Sequence, residues 1–507
     1  MLPVKARPQE PLYAGGMLKP VNAEGTQAIE GGAVAGSSAK THSVRWVLVA
    51  LALSMLLSSL GISSPNVALP TIALAFNASF PEVQWIVVSY LLAITIMIVG
   101  VGRLGDIMGH RRVLLAGIAV FTLASVLCGV APTLWALIAA RVVQGIGAAI
   151  LMALTLAMVR ETVPKERTGS AMGLLGTMSA IGTALGPSLG GVLVAGPGWQ
   201  SIFLAMVPLG ILNFVFARRF LPEGKPKAAT NGNRFDKLGT LLLGVTLAAY
   251  ALAVTIGGGH FARINQILLI AAVVGAGLFL FVQARVASPL IKLAAFRNVV
   301  LSSSLAMNVL VATVMMTTLV VGPFFLSRAL GLSNAMVGAV MAVGPIISTL
   351  TGIPAGRIVD RLGATAIIFI GLLALAIGAF AIALLPSMIG VAGYIVGIFI
   401  LTPGYQLFQA SNNTAVMIDV NPDQRGVISG MLSLSRNLGL ITGASVMGAV
   451  FAFASKTTDI TTAHPEAIAI GMRTTFSVSA VLLVIALLIA LASRGALADA
   501  EARAGKK

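Results

Sequence analysis

The chain has 507 residues, of which 57% are hydrophobic and only 10% are charged. A typical soluble protein has about 25% charged residues, so this composition excludes an ordinary water-soluble protein and indicates one that spans a membrane repeatedly. The net charge of +17 could suggest a nucleic-acid partner, but no basic stretch with interleaved aromatic residues occurs, so we expect no nucleic acid as a partner.

The N-terminal residues 1–43 are rich in Gly, Ala and Pro without any periodicity, a composition typical of disorder. We predict a disordered cytoplasmic tail there and a second, short polar tail at 495–507. Between the tails, hydropathy predicts fourteen apolar segments, each long enough to span a membrane as a helix. The segments cover 46–68, 83–102, 113–131, 133–159, 168–195, 200–217, 238–257, 265–284, 300–324, 335–356, 364–386, 388–417, 427–454 and 473–493.

All of these segments should be helical, because an unpaired backbone amide in lipid costs several kcal/mol. The sequence therefore predicts an all-α integral membrane protein with fourteen transmembrane helices. Most of the 33 Lys and Arg residues fall in cytoplasmic tails and loops when the N-terminus is placed inside, as the positive-inside rule requires. We expect a multi-pass protein of the cell inner (plasma) membrane with both termini in the cytoplasm.

Two loop sequences occur twice along the chain. GRLGDIMG at 102–109 is echoed by GRIVDRLG at 356–363, and PKERTG at 164–169 is echoed by PDQRG at 422–426. Each copy follows a span of corresponding position, so a duplicated unit of six spans explains both pairs. Two such halves that meet at a midplane cavity are a common architecture of secondary transporters.

The repeat divides the chain into two bundles and a central insertion. We predict one six-helix bundle at 44–220, a second at 300–494, and between them a linker at 221–299 that carries two additional transmembrane helices. Enzyme motifs are absent: the sequence has no phosphate-binding loop, no HExxH, and only one cysteine. We therefore predict neither an enzyme nor a metal site.

The most specific signature is the string GRLGDIMGHRR, which places one aspartate and three arginines between two apolar spans. It resembles the loop between spans two and three of the major facilitator superfamily, and the fourteen spans resemble the drug:proton antiporter branch of that family. Span four carries LIAARVVQGIGAAI, with Arg141 and Gln144, which matches the same branch. Span five carries GTALGPSLGG and resembles the antiporter motif through Gly182, Gly186, Pro187, Gly190 and Gly191.

This resemblance implies a major facilitator fold and a transport function. The expected activity is proton-coupled export of amphiphilic drugs or toxic metabolites by alternating access, with the proton gradient as energy source and no cofactor. The expected partners are a small-molecule substrate, protons and the lipid bilayer, and the family suggests a monomer.

In the family that the chain resembles, the loop after span two acts as a conformational latch between the halves. A carboxylate there can accept from a helix N-terminus or from arginine. The residues that the resemblance assigns to this latch are Gly102, Arg103, Gly105, Asp106, Gly109, Arg111 and Arg112, with Asp360 in the second copy.

Two arginines lie deep in predicted spans, Arg141 in span four and Arg436 in span thirteen. Such a residue costs about 2.5–3.5 kcal/mol or more in a membrane and usually faces a cavity. We predict a cavity lined by both arginines and by polar neighbours at helical spacing, namely Gln144, Gln409, Asn412 and Asn413. The alternative is structural: Arg141 would bond only to neighbouring carbonyls, and the amides would form hydrogen bonds between helices.

Acidic residues are absent from the middle of every predicted span, and Gly61 stands where the antiporter branch commonly has an aspartate. A lipophilic cation in a low dielectric normally needs a buried counter-charge. The sequence therefore favours neutral or anionic amphiphiles over quaternary ammonium compounds. Glu82 and Asp106 are the candidate proton carriers.

Two other functions stay open at this point. One is an uncoupled facilitator or importer of a small neutral or anionic solute on the same fold. The other is a receptor or scaffold in the membrane that transports nothing.

Overall fold

The structure is a computed structural model, and it describes residues 33–164, 168–222, 237–256, 263–286, 296, 298–417, 425–456 and 463–504. Within the helices a few side chains are also outside the description, among them those of Arg103 and Asp106. Residues 44–507 form one compact unit, and the packing below is that of this unit. Residues 1–43 form a unit of their own, described only as helical backbone from Ala33 onward.

The first half contains six spans. They are α1 (Ala33–Ala75), α2 (Phe80–Met108), α3 (His110–Gly129), α4 (Leu134–Thr162), α5 (Thr168–Ala195) and α6, which runs as Gln200–Leu204 and Met206–Phe220. Helix α4 packs against both α2 and α3, and α3 packs against α6.

The two central helices are α7 (Lys237–Thr255) and α8 (Arg263–Arg285), and they pack against each other. Helix α7 also bonds to both halves. Trp85 Nε1 of α2 donates to Thr255 Oγ1 at 3.1 Å, and the Tyr250 hydroxyl lies 3.1 Å from Thr442 Oγ1 in the second half. The two central helices are therefore attached to both six-helix halves through side chains of α7.

The second half again contains six spans. They are α9 (Val299–Phe324, extended by a π turn at Phe325–Ala329), α10 (Asn334–Leu362), α11 (364–388), α12 (391–417), α13 (Arg425–Thr442, a π turn at Gly443–Met447, then Gly448–Ala454) and α14 (Pro465–Ala504).

Helices α11 and α12 follow each other directly within the 54 residues Ala364–Met417. At 1.5 Å per residue a single helix of this length would be about 80 Å long, far more than the roughly 30 Å hydrocarbon core. The backbone leaves the helical region at Ile389 and at Gly390, where φ is 58°, so the chain folds back on itself. A Cβ at Gly378 would lie 2.6 Å from the Leu401 side chain, which shows how closely the two arms pack.

Thirteen helical stretches of the described chain are long and apolar enough to cross a membrane, counted by length and composition. Because the longest of them contains two arms, the fourteen predicted spans are all present. The predicted all-α fold is confirmed, and no strand occurs in the residues that the structure describes.

The helix ends differ from the hydropathy segments. The first helix begins at Ala33 and the last helix ends at Ala504. We expected a disordered tail at 1–43 and a polar tail at 495–507. Residues 1–32 and 505–507 lie outside the described residues. Hydropathy detects only the apolar stretch of a helix that lies within the membrane. Alanine-rich flanks such as ALADAEARA extend the helix beyond it, because alanine has a high helix propensity.

Within the first half, α5 packs directly on α1 through its glycines. A Cβ at Gly182 would lie 2.7 Å from the Leu56 carbonyl oxygen, and one at Gly186 would lie 2.8 Å from the Ser64 nitrogen. Ser63 Oγ donates to the Gly182 carbonyl at 3.2 Å. Small residues four apart allow this backbone approach, so the antiporter-like motif forms a helix–helix contact.

The same motif also meets the second half. A Cβ at Gly191 of α5 would lie 2.6 Å from Gly338 Cα of α10, and a Cβ at Gly338 would lie 2.9 Å from the Pro187 carbonyl oxygen. Nearby, Thr71 Oγ1 lies 3.5 Å from Asn334 Oδ1. The two halves therefore touch backbone to backbone at the C-terminal end of α5.

A second contact between the halves lies at the same end, where α2 meets α9 and α13. Gln84 Nε2 donates to the Ala444 carbonyl in the π turn of α13 at 2.8 Å. The Phe80 ring packs edge-on against Phe324, with centroids 4.7 Å apart, and lies 5.4 Å from Phe451. We call this region the sealed end, defined by Thr71, Phe80, Gln84, Gly191, Asn334, Gly338, Ala444 and Phe451.

The glycine crossing gives a first prediction. Gly191→Val should separate the halves at the sealed end, because overpacking of a tight contact costs about 1–3 kcal/mol. The test is cross-linking of cysteines placed at Thr71 and Asn334 with a short thiol-reactive linker, whose yield should fall in the Gly191→Val background.

The matched control is Gly277→Val on α8, where a Cβ would meet nothing within 4 Å. Cross-linking in that control should equal that of the parent. An unchanged yield with Gly191→Val would show that the crossing does not hold the sealed end closed.

Candidate functional site

A cavity of about 470 Å³ lies between the two halves. Helices α1, α4 and α5 line it from the first half, and α9, α10, α12 and α13 from the second. Its lining begins at Thr183 and Val340, about one helical turn from the Pro187–Gly338 contact of the sealed end. The volume is within the usual range for small-molecule sites, about 300–1,000 Å³.

Most of the lining is apolar, and it is rich in methionine. The four lining methionines are Met55, Met152, Met315 and Met341. Two tyrosines, Tyr394 and Tyr405, come from α12. Flexible thioethers and aromatic rings adapt to apolar ligands of different shapes, so this part of the cavity suits amphiphiles.

The polar lining is concentrated on α12 and α13. Arg436 is half-buried, and its guanidinium forms no hydrogen bond or ion pair with the described residues. Its neighbour Asn437 is 7% exposed, and its Nδ2 has no hydrogen-bond partner. Asn413 lines the cavity with an exposed side chain.

On α12, two glutamines differ in how far they are satisfied. Gln406 Nε2 donates to the Ser348 carbonyl at 3.0 Å and also contacts the Ser348 hydroxyl, which ties α12 to α10. Gln409 Nε2 donates to the Tyr405 hydroxyl at 3.3 Å, while its Oε1 has no partner. Gln409 thus keeps an unused acceptor in the cavity wall.

The structure places three of the predicted residues, Gln409, Asn413 and Arg436, in the cavity lining. Asn412 is not among them. It is fully buried, and its Nδ2 lies 3.5 Å from the Ser304 carbonyl of α9. Asn412 lies three residues after Gln409, so the two side chains point in directions about 60° apart around the helix axis. That of Asn412 faces α9 instead of the cavity.

Arg141 is also outside the cavity, contrary to the prediction. It is fully buried, and its Nε donates to the Ile86 carbonyl at 2.8 Å while Nη2 donates to the Gly61 carbonyl at 2.9 Å. The guanidinium carbon lies 3.9 Å from the centroid of the Tyr90 ring. The contacts match the structural alternative, because backbone carbonyls and a ring face can satisfy a buried arginine without solvent.

Gln144 belongs to the same network and does not line the cavity either. Its Oε1 accepts from Arg141 Nη1 at 2.5 Å, and its Nε2 donates to Ser125 Oγ at 2.8 Å. Carbonyls of α1 and α2 and a hydroxyl of α3 are thereby joined to α4. The Arg141–Gln144 pair is a cross-brace inside the first half.

Gly61 fits this brace because it lacks a side chain. A Cβ at this position would lie 2.4 Å from the Tyr90 hydroxyl oxygen, and that hydroxyl donates to the Ser58 carbonyl at 2.9 Å. The tyrosine ring therefore occupies the space beside Gly61, and the arginine meets a carbonyl there instead of a carboxylate.

The described contacts of the predicted latch remain within the first half. His110 Nδ1 lies 3.0 Å from Glu161 Oε1 of α4, and Arg111 Nη2 donates to the Arg218 carbonyl at 2.6 Å. That carbonyl belongs to the last turn of α6, where helix carbonyls lack intrahelical partners. Arg111 therefore acts as a C-terminal cap.

The glycines of this loop have two different environments. Gly109 joins α2 to α3 with φ at 91°, a conformation that favours glycine. Gly105 faces His110 and Leu154, both less than 3 Å from a Cβ placed there, whereas Gly102 meets nothing within 4 Å. A larger residue at 105 would thus require the His110 and Leu154 side chains to shift.

Two charged residues of the predicted latch lie at the protein surface. Arg112 is exposed, and Asp360 is exposed and forms no ion pair with any described residue. The side chains of Arg103 and Asp106 lie outside the described residues. A contact of this loop across the halves stays a prediction.

Glu82 has a local structural role. Its Oε2 accepts from the Ser79 backbone N–H at 2.7 Å and from the Ser79 hydroxyl at 2.6 Å. A carboxylate at the third position of a helix commonly binds the capping residue in this way. The side chain is exposed at the start of α2, and the structure does not bring it to the cavity.

Sequence reasoning missed most of the first-half lining and both tyrosines of α12. A signal for the tyrosines exists, because Tyr394, Tyr405 and Gln409 repeat at helical spacing on one face. The contributions of α1 and α5, such as Ser59, whose hydroxyl lies 2.7 Å from that of Ser179, carry no comparable signal. Serines of this kind are ordinary in packed membrane helices.

Comparison with known proteins agrees with these observations. A family model described as Major Facilitator Superfamily matches residues 51–444. Multidrug resistance protein Stp of Mycobacterium tuberculosis (strain CDC 1551 / Oshkosh) is 31% identical over 398 residues, which cover 75% of this chain and 73% of Stp. Riboflavin transporter RibZ of Clostridioides difficile (strain 630) is 30% identical over 409 residues, which cover 80% of this chain and 88% of RibZ.

Among solved structures, the chain is similar to a bacterial homolog of the human lysosomal transporter Spinster in an inward-facing and unoccupied conformation. The TM-score is 0.62 at 18% identity, and the match covers 90% of this chain and 98% of the other. At this identity the similarity concerns the fold alone.

The different environments of Arg141 and Arg436 lead to a second prediction. Arg141→Met should lower the free energy of unfolding by about 2 kcal/mol or more, because Gln144 and two carbonyls lose a charged donor. The same change at Arg436 should leave stability close to that of the parent, because this guanidinium bonds to no described residue. Thermal unfolding followed by fluorescence-detected size exclusion measures both.

Proposed function

We propose that this chain, which belongs to the Major Facilitator Superfamily and is a multi-pass membrane transporter of small molecules rather than an enzyme, is a secondary active exporter of amphiphilic compounds in the cell inner membrane. It works by alternating access, coupled to the proton gradient, and functions as a monomer. The observation that carries the proposal is the cavity between the halves, closed on one side by the sealed end.

Alternating access needs contacts that hold one end shut and can be exchanged for contacts at the other end. The Gly191–Gly338 crossing and the bond from Gln84 to the Ala444 carbonyl have this character, because they join different halves. A π turn disrupts regular helix bonding and is frequent at functional sites, and here it supplies the accepting carbonyl. Rocking of the halves would break this bond and open the sealed end.

The positive-inside rule supports an orientation for this state. Exposed basic residues Arg112, Arg219, Arg357 and Arg361 lie at helix ends opposite to the sealed end. The proposed topology puts these residues in the cytoplasm. The cavity of this structure would then face inward and the sealed end outward.

Two observations support amphiphilic substrates. The cavity combines four methionines and two tyrosines with one arginine and several amides, so it offers both apolar and polar contacts. Relatives that are about 30% identical include one named for multidrug resistance and one named for riboflavin. We infer a multidrug-efflux function for this chain because the chemistry of its cavity suits the kinds of compound for which those relatives are named.

A second candidate function is an uncoupled facilitator or importer. It is favoured by the composition of the cavity lining, in which the described residues include no carboxylate. If transport is proton-coupled, the proton must bind a group outside the cavity lining. We assign this role to Asp106, since Glu82 is engaged as a helix cap.

The direct test is transport by purified protein in proteoliposomes. With a panel of fluorescent amphiphiles that includes riboflavin, we expect accumulation against the concentration gradient only when a pH gradient is imposed. Equilibration at the same rate with and without the pH gradient would identify the facilitator. No movement of any compound, with correctly folded protein, would favour a receptor or scaffold.

Coupling can be tested at the two acidic candidates. Asp106→Asn should abolish pH-driven accumulation while counterflow exchange continues, because the titratable group is lost. Glu82→Gln should preserve coupling, since glutamine also fills this position of the cap. If Glu82→Gln uncouples transport and Asp106→Asn does not, the assignment is reversed.

A further inference from the structure

Among the described residues that line the cavity, Arg436 is the one charged side chain. Arg436 is half-buried, lines the cavity, and has no hydrogen-bonding or ionic partner among the described residues. We propose that the cavity selects monoanionic aromatic amphiphiles, whose anionic group binds Arg436 and Asn437 on α13, beside α12. This inference rests on the proposed transport function and adds the substrate class.

Arg141 shows how a buried arginine of this protein can find its partners within the chain. Arg141 donates to two carbonyls and to Gln144 and stacks on Tyr90. A cation in a largely apolar site is costly unless it is paired. Arg436 therefore has unused capacity that a ligand anion can satisfy through the planar guanidinium fork.

Asn437 provides a second donor next to the arginine. Its side chain is more than nine-tenths buried, it lines the cavity, and its Nδ2 has no partner. A buried amide without a partner destabilises the protein, so a ligand oxygen that accepts from Asn437 Nδ2 relieves this cost. Both donors line the same cavity, so one ligand with an anionic group can contact both of them.

Gln409 adds an acceptor on the facing helix. Its Oε1 has no partner, while its Nε2 is bound to the Tyr405 hydroxyl. A ligand that carries a hydrogen-bond donor near its anionic group would satisfy this oxygen. The rest of the ligand would contact Tyr394 and the methionines, where sulfur and ring faces favour an aromatic body.

The same arrangement selects against cations. The described lining contains no carboxylate, and a cationic ligand would lie near the positive charge of Arg436. Specificity of this kind comes from repulsion of the wrong ligand as well as from attraction of the right one. The expected order of affinity is anion, then neutral analogue, then cation.

The experiment uses three probes with the same aromatic body: pyrenebutyrate, pyrenebutanamide and pyrenebutylammonium. Binding to the full chain in lipid nanodiscs is measured by pyrene fluorescence, and counterflow is measured in proteoliposomes. We expect pyrenebutyrate to bind at least about ten-fold more tightly than the amide, as for a hydrogen-bonded charge. The ammonium probe should bind most weakly.

The variants assign this preference to a residue. Arg436→Gln should remove the advantage of pyrenebutyrate over the amide, and Arg436→Lys should retain part of it as a point charge. Asn437→Ala should weaken pyrenebutyrate while the order of the three probes stays the same. The matched control is Arg328→Gln at the end of α9, a half-buried arginine outside the cavity, which should leave all three affinities unchanged.

The outcomes separate this inference from the transport function. Transport with a preference for the ammonium probe, or an equal loss of acid and amide binding in Arg436→Gln, would overturn the anion site and leave the transporter intact. Loss of all three affinities in both Arg436→Gln and Arg436→Lys, with normal elution on size exclusion, would also overturn it. Absence of counterflow for every probe in the parent would count against the proposed function itself.

Discussion

A guanidinium group surrounded by helices in a membrane must find acceptors within the protein, because lipid offers none. Arg141 meets this constraint through the Ile86 and Gly61 carbonyls, the Gln144 amide and the ring of Tyr90. In doing so it joins α1, α2 and α4 into one body. The first half can then move as a unit, because its strongest polar contacts are internal. The brace thereby fixes α1 and α4, which both contribute residues to the cavity lining.

Contacts between the halves are of a different kind. Among the described residues they include a glycine crossing, a ring cluster at Phe80, an amide-to-carbonyl bond from Gln84 and the Thr71–Asn334 contact. Loss of such contacts leaves few buried charges unpaired, so they can be broken once in each cycle at small cost. Strong bonds inside the halves and weak bonds between them are what a rocking mechanism requires. The glycine motif of α5 serves both needs, since Gly186 packs within the half and Gly191 packs across it.

Sequence patterns were sufficient for the architecture and insufficient for the direction of side chains. Hydropathy alone gives the fourteen spans, because lipid imposes length and helicity on every one of them. The cavity residues on α12 and α13 followed from polar groups at helical spacing, as Gln409, Asn413 and Arg436 show. Arg141 could not be placed in this way, since depth in a span shows only that a charge needs partners. Whether those partners are carbonyls, as here, or a cavity depends on tertiary contacts at positions as distant as Gly61.

In the proposed cycle, the buried Arg141 and the half-buried Arg436 therefore have different roles. The partners of Arg141 all belong to the first half, so its environment is the same in every state in which that half stays rigid. Arg436 lines the cavity between the halves, so under the proposed rocking its exposure would change. A ligand anion that neutralises Arg436 lowers the cost of enclosing this charge when the cavity closes. Binding would then favour the enclosed state of the transporter, and the charge that selects the substrate would also link its binding to the movement of the halves.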